Sequence, residues 1–135
     1  MKQKAKPFGW CFVGTGTLAN QVARQVCKSG RHEVVSVYTR RAESGEKFTA
    51  KHGGYYYATA RDAMTADGVD AVYVVTTHDS HYEYAKLALE CGKPVLVEKP
   101  FTMTAAEAKE LVALAQKKGL IYPFETLKDG IIRTL

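Results

Sequence analysis

The chain has 135 residues, of which 46% are hydrophobic and 24% charged, a composition typical of one globular domain and not of a disordered or fibrous protein. Folded chains of about 150 residues bury roughly two-thirds of the surface that they expose when unfolded, so this length suffices for a complete core. Nineteen Lys and Arg residues against 14 Asp and Glu residues give a net charge of +5. The basic residues are spread along the chain, which argues against a nucleic-acid partner.

The cysteines and the N-terminal region indicate the compartment. Cys11, Cys27 and Cys91 form no C-x-x-C pair, and each lies within an apolar stretch, where a reduced thiol acts as a small hydrophobic residue. The apolar run at 8–13 is too short for the hydrophobic region of a signal peptide or for a membrane span. We therefore expect a cytoplasmic protein with no membrane partner.

Short apolar runs alternate with segments of helical periodicity, which is the pattern of βαβ units stacked around a parallel sheet. Strands are predicted at residues 8–13, 33–39, 55–57, 70–75, 94–97 and 120–124. The run 71–75 is apolar throughout, as expected of a strand covered by helices on both faces. The predicted fold class is α/β, a single domain with a doubly wound parallel sheet over residues 1–124, followed at 125–135 by a short C-terminal tail or the remnant of a missing domain.

A glycine motif follows the first predicted strand and opens the first predicted helix, at 18–29. The sequence Gly14-Thr15-Gly16-Thr17-Leu18-Ala19 has the G-x-G-x-x-A pattern of a Rossmann-type dinucleotide-binding loop. Gly14 permits a tight turn, Gly16 lets the backbone approach a diphosphate without a Cβ atom, and Ala19 allows the helix to pack closely on the strand. No acidic residue in the first turn competes for the positive helix end. We predict that this loop binds the diphosphate; the alternative is a flexible turn.

The predicted helices carry further local signals. The apolar face of the first helix, expected to pack on the sheet, comprises Leu18, Val22, Ala23 and Val26. Ser80 with Glu83, and Thr104 with Glu107, match the capping box S/T-x-x-E and mark two further helix starts.

The end of the second predicted strand indicates which dinucleotide binds. An NAD-selective site offers an Asp or Glu to the ribose 2′-hydroxyl about 20 residues beyond the glycines. This chain has Thr39-Arg40-Arg41 there, and a hydroxyl with two guanidinium groups favours a 2′-phosphate. The predicted cofactor is NADP, with NAD as the alternative, because the two arginines can equally begin the exposed face of the next helix.

Two longer stretches carry a family resemblance. One covers 68–77 and continues through His81, and the other covers 92–100 and ends in Glu98-Lys99-Pro100 after a predicted strand. Together with the glycine loop they resemble the Gfo/Idh/MocA oxidoreductases, the family of glucose-fructose oxidoreductase, inositol dehydrogenase and dihydrodiol dehydrogenase. The resemblance extends from about residue 8 to residue 120, and the Glu-Lys-Pro signature is more specific than the glycines.

The resemblance implies a nicotinamide-dependent oxidoreductase that transfers a hydride at CH–OH groups of sugar-like or cyclic-diol substrates. It implies that Glu98 lies near the nicotinamide ribose, that Lys99 is the catalytic residue at the reacting oxygen, and that Pro100 shapes the turn. Partial desolvation and the positive charge of the oxidised nicotinamide would favour proton release from that lysine. The alternative is that these are exposed strand-end charges.

The resemblance also implies that Thr76, Thr77 and His81 line the cofactor site, although Thr77 and His78 stand where the family commonly has Pro and Asn. His78 and His81 could suggest a metal pair, but no third ligand is apparent and we predict no metal site.

Family members carry a second α/β domain that shapes the substrate pocket and supplies proton-transfer residues. We expect that domain to be absent here, so that the chain holds cofactor with little or no turnover alone. The expected partners are a nicotinamide dinucleotide and, in a full-length relative, a polyol or sugar-like substrate. The alternative from another class is a non-catalytic nucleotide-binding or self-associating module, a homo-oligomer formed through the uncovered apolar surface.

Overall fold

The computed structural model describes residues 6–98 and 104–120, apart from the side chain of His78. The strands in these residues are β1 (Phe8–Val13), β2 (His32–Tyr38), β3 (Tyr55–Tyr56), β4 (Ala71–Val74) and β5 (Val95–Val97). The α-helices are α1 (Thr17–Ser29), α2 (Ala42–His52), α3 (Ala60–Met64), α4 (His81–Glu90) and α5 (Ala105–Lys117), and a 3₁₀ turn at His78–Ser80 precedes α4.

The strands form one parallel sheet in the order β3-β2-β1-β4-β5. The chain winds outward from β1 to β3, then returns to place β4 on the other side of β1, so the winding direction reverses between β1 and β4. The predicted α/β fold with a Rossmann-type parallel sheet is confirmed. The sixth predicted strand, 120–124, lies outside the described residues except for Leu120.

Helices cover both faces of the sheet. On one face α1 and α2 pack on a core that includes Phe12, Phe48 and Tyr73, with the Phe12 ring 5.5 Å from Phe48 and 5.3 Å from Tyr73. On the other face α3, α4 and α5 pack on a core that includes Val72 and Leu111. Strand β4 is buried at every residue, as its continuous apolar sequence predicts. The sheet is therefore held rigidly from both sides, and its strand ends are fixed relative to one another.

Both predicted helix starts are confirmed, at Ser80 and at Thr104, but only one of the two capping boxes forms its hydrogen bond. At the start of α5 the Thr104 hydroxyl accepts a hydrogen bond from the Glu107 N–H at 3.1 Å, as expected. At the start of α4 the Ser80 hydroxyl caps nothing and instead donates to Thr76 Oγ1 at 2.7 Å and to the Thr77 carbonyl at 2.9 Å. A capping residue needs extended backbone, whereas Ser80 closes the 3₁₀ turn with φ −104° and ψ −1°.

The three cysteines differ in exposure. Cys11 is buried, and its burial raises the pKa of the thiol to about 12, whereas Cys27 on the last turn of α1 is exposed, contrary to its apolar sequence context. Partial burial raises the pKa of Cys27 as well, but Cys27 is accessible to the reagent, so iodoacetamide at pH 8 should label it in the folded chain and leave the buried Cys11 unlabelled until denaturant is added. Peptide mass spectrometry measures both. Equal labelling in the folded chain would contradict this packing.

Among the described residues, none of the helices combines the length and the apolar character that a membrane span requires.

Candidate functional site

A cleft of about 720 Å³ opens where β1, β2, β4 and β5 end. It lies across the reversal point between β1 and β4, the place at which open α/β sheets bind their ligands. Every described residue that we predicted to bind the cofactor lines it: Gly14, Thr15, Gly16, Thr17, Leu18, Ala19, Thr39, Arg40, Arg41, Thr76, Thr77, His81 and Glu98. The fold thus gathers four separate sequence segments around one cavity. Lys99 and Pro100 lie outside the described residues.

The cleft also contains residues that the sequence analysis missed: Tyr38, Ser44, Val75, Ser80 and Tyr84. Tyr84 lies three residues after His81 and therefore on the same face of α4, a spacing that could have identified it. Its ring lies 5.9 Å from that of Tyr38, so two aromatic rings, one from a strand end and one from a helix, form part of the wall.

The two glycines of the loop differ in whether the fold requires glycine at their position. Gly14 has φ +113°, and a Cβ atom there would lie 2.7 Å from the Val75 carbonyl oxygen, so the fold itself requires glycine. Gly16 has φ −78° and ψ −166°, which any residue adopts, and among the described residues, its two chain neighbours apart, no atom lies within 4 Å of the position that its Cβ would take. Neither backbone strain nor contact with the rest of the chain explains glycine at position 16. A ligand that approaches this backbone in the cleft would explain it.

The N-terminus of α1 presents uncompensated positive charge to the cleft. No acidic residue lies in its first turn, and its N-cap, Gly16, offers no side chain to the free N–H groups. Leu18 is 40% exposed and lines the cleft, contrary to its predicted place against the sheet. The buried residues of α1 are Ala19 and Ala23. The helix end can therefore accept an anion together with an apolar contact.

Arg40 lies at one end of the cleft. Hydrogen bonding with the Tyr84 hydroxyl raises the pKa of the Arg40 guanidinium, and the negative charges of Asp79 and Glu83 raise it further. Arg40 and Arg41 are both exposed and line the cleft, and Arg41 is also the N-cap of α2, so the pair does begin the next helix as the alternative interpretation predicted. The pair supplies fixed positive charge beside the end of β2.

Glu98 lies at the opposite end, directly after β5. The Tyr73 hydroxyl donates a hydrogen bond to Glu98 Oε2 at 2.5 Å, and the Glu98 N–H donates to the Val74 carbonyl at 3.0 Å. Burial raises the pKa of Tyr73, and its hydrogen bond to the carboxylate adds to this, so the tyrosine remains a donor. Glu98 is half-buried and held at two points, unlike a freely solvated strand-end charge.

The wall between these ends is the segment after β4. The ring of His81 is 1% exposed, and its Nε2 atom lies 3.0 Å from the Thr76 carbonyl oxygen. The Thr77 hydroxyl donates to Asp79 Oδ1 at 2.8 Å. These hydrogen bonds fix the segment although Thr77 is not the proline that the family commonly has there. In the part of the chain that the structure describes, no three His, Cys, Asp or Glu residues are grouped as metal ligands would be.

A family model described as an oxidoreductase family with an NAD-binding Rossmann fold matches residues 8–125. The chain belongs to the Gfo/Idh/MocA oxidoreductases. The predicted resemblance is confirmed, and the family is one that binds NAD(P).

Individual Gfo/Idh/MocA proteins match over most of this chain. The uncharacterized oxidoreductase YhhX of Escherichia coli is 44% identical over 117 residues, which are 84% of this chain and 34% of that protein. The D-xylose 1-dehydrogenase (NADP(+)) of Hypocrea jecorina is 35% identical over 124 residues, covering 82% of this chain and 32% of the enzyme. The crystal structure of KijD10, a 3-ketoreductase from Actinomadura kijaniata in complex with NADP and TDP-benzene, is 31% identical with a TM-score of 0.81, covering 86% of this chain and 36% of KijD10.

The chain thus spans about a third of the length of the Gfo/Idh/MocA relatives that it matches.

Proposed function

We propose that this chain binds a nicotinamide dinucleotide in the cleft, prefers NADP to NAD, and is the cofactor-binding part of an oxidoreductase acting on CH–OH groups of polyol or sugar-like substrates. The observation that carries the proposal is Gly16, where neither backbone strain nor crowding by the described residues requires glycine, and which lies where a diphosphate would approach the N-terminus of α1. The names of related enzymes, a D-xylose dehydrogenase among them, support the substrate class.

The charges along the cleft give the cofactor a direction. In the sheet order the glycine loop after β1 lies between the ends of β2 and β4, with β5 beyond β4. A 2′-phosphate belongs to the adenosine ribose and fits beside the guanidinium groups of Arg40 and Arg41. The nicotinamide riboside then extends toward Glu98, where a carboxylate can accept ribose hydroxyls or face the cationic ring. Each predicted cofactor-binding segment thereby contacts a different part of one dinucleotide.

A bound dinucleotide supplies or accepts the hydride. The contribution of the chain is to place the nicotinamide end beside Glu98 and, one residue further, Lys99. We propose that Lys99 exchanges a proton with the reacting oxygen of the substrate and that Pro100 sets its direction, as the family resemblance implies. Both residues lie outside the described residues, so their roles are inferred from sequence.

We further propose that the 135-residue chain holds cofactor with little or no turnover by itself. The length of the matched relatives, about three times the matched region, supports this proposal. Substrate-dependent formation of NADPH by the purified chain would contradict it.

Replacing Arg40 by alanine should weaken NADP binding roughly 10- to 100-fold, because one charge-assisted hydrogen bond to the 2′-phosphate is lost. NAD, which has a hydroxyl there, should bind the wild-type and variant chains with nearly the same affinity. Isothermal titration of both chains with both cofactors measures this difference. Arg61→Ala, which removes the same charge from an exposed position on α3 outside the cleft, is the matched control.

Equal affinity of the wild-type chain for NADP and NAD would refute the preference for the 2′-phosphate. Failure of the wild-type chain to bind either cofactor would refute the proposed function itself.

A further inference from the structure

Asn20 follows the glycine motif in the first turns of α1 and connects it to a second helix. Its amide nitrogen lies 2.9 Å from the carbonyl oxygen of Gly16 and 3.2 Å from that of Thr15. Its amide oxygen lies 2.8 Å from Nε2 of His52, the last residue of α2. One side chain therefore joins the phosphate loop to α2.

The partners determine the orientation of the amide. Two carbonyl oxygens can only accept, so the atom facing them must be the amide nitrogen, and the oxygen must face His52. His52 Nε2 then carries a hydrogen and donates to Asn20. Burial lowers the pKa of His52, as do the charges of Arg24 and Lys51, and the neutral ring with its hydrogen on Nε2 satisfies this arrangement. The Phe48 ring, 4.6 Å away, holds the imidazole in place from its own helix.

The two carbonyls that Asn20 holds belong to the peptide groups that face the cleft. In a trans peptide the C=O and N–H bonds point in opposite directions. The Thr15 carbonyl shares its peptide group with the Gly16 N–H, and the Gly16 carbonyl shares its group with the Thr17 N–H. The Gly16 carbonyl also accepts the backbone N–H of Asn20 at 3.0 Å, the first hydrogen bond of α1, so the helix and the Asn20 side chain together direct the Thr17 N–H. Through the Thr15 carbonyl, the Asn20 side chain directs the Gly16 N–H to the same side. Among the residues that the structure describes, these two N–H groups have no acceptor.

We infer that Asn20 is a positioning residue of the dinucleotide site, which holds the Gly16 and Thr17 N–H groups toward the diphosphate and is itself held by His52. The inference rests on the proposed function. It differs from the role of Arg40 because the diphosphate is common to NADP and NAD, so Asn20 should affect both cofactors equally. Asn20 lies directly after the last residue of the G-x-G-x-x-A motif, so the motif does not predict this role.

The test compares three ligands. Asn20→Ala should weaken NADP and NAD by the same factor, about 10-fold, since each N–H bond to a charged phosphate loses its fixed direction. Adenosine 2′-monophosphate carries the phosphate that Arg40 would bind but no diphosphate, so its affinity, measured by NMR titration, should not change. Arg40→Ala should give the opposite pattern: the affinity for NADP and for adenosine 2′-monophosphate should fall, and the affinity for NAD should stay the same.

Two variants complete the design. Asn20→Asp keeps the shape of the side chain and the acceptor for His52 but removes both donors, so it should weaken NADP binding at least as much as Asn20→Ala. His52→Ala should give a smaller loss with the same equality between NADP and NAD. Circular dichroism and thermal unfolding of each variant show that it is folded at the titration temperature.

Unchanged NADP affinity in both Asn20 variants would overturn the inference while leaving the proposed function standing. An equal loss of affinity for adenosine 2′-monophosphate in these variants would also overturn the inference, because that result would indicate general damage to the fold. A wild-type chain that binds no dinucleotide would overturn the proposed function, and the inference with it.

Discussion

Replacing Gly16 by serine is expected to abolish dinucleotide binding while the fold stays intact. The backbone of Gly16 is extended, no atom of the described residues beyond its chain neighbours lies within 4 Å of its missing Cβ, and serine is a favoured N-cap, so the free energy of unfolding should not decrease. The added side chain would stand in the cleft, where the diphosphate must approach the N–H groups. Loss of two hydrogen bonds to a charged group corresponds to a rise in Kd of roughly 100-fold or more. Calorimetric titration with NADP, together with thermal unfolding, measures both quantities.

Gly16→Ala is the matched variant, because it adds the Cβ atom without a hydroxyl that could occupy the N–H groups itself. Its affinity for NADP should fall to the same extent. Its free energy of unfolding should be lower by about 1 kcal/mol, because alanine is a poorer N-cap than glycine. Binding of NADP by both variants at wild-type affinity would remove the main support for the proposed function.

Replacing Gly14 by alanine is expected to have the opposite primary effect and destabilise the fold. Its φ of +113° strains any residue with a side chain, and the new Cβ would lie 2.7 Å from the Val75 carbonyl oxygen, a backbone atom of the neighbouring strand end. Strain of this kind together with a backbone clash costs about 2 to 4 kcal/mol. Urea unfolding should therefore show a clearly lower midpoint with an unchanged slope. A midpoint equal to that of the wild-type chain would mean that the loop relaxes without cost.

The comparison of Gly14 with Gly16 shows what a sequence motif leaves undetermined. The motif assigned the tight turn to Gly14 and the approach of a ligand to Gly16, but only the structure shows that a Cβ at Gly14 would meet the Val75 carbonyl oxygen and that the described residues leave space for one at Gly16. Sequence signals were reliable where the predicted contact joins residues of one helix turn, as in the capping hydrogen bond of Thr104. At Ser80 they predicted the helix start correctly but not the capping hydrogen bond, because the preceding 3₁₀ turn has no clear signature in sequence and changes the backbone of the capping position.

Contacts between distant segments were the part that sequence could not predict. Asn20 and His52 are 32 residues apart and meet only because α1 and α2 pack side by side on one face of the sheet. Tyr73 and Glu98 meet because Tyr73 pairs with Leu96 on the adjacent strand, and Glu98 lies two residues further along the same face. Once the register of β4 and β5 is known, that second contact follows. The register itself is not visible in the sequence.

The contact between Tyr73 and Glu98 constrains a position that would otherwise tolerate many apolar residues. Tyr73 is 2% exposed and packs against Phe12, so its ring alone could be replaced by another of similar volume. Its hydroxyl, however, extends from the interior to a carboxylate on the cleft wall. An interior side chain thus sets the polarity of the surface that a ligand would meet, and variation at this site is limited by chemistry and not by size alone.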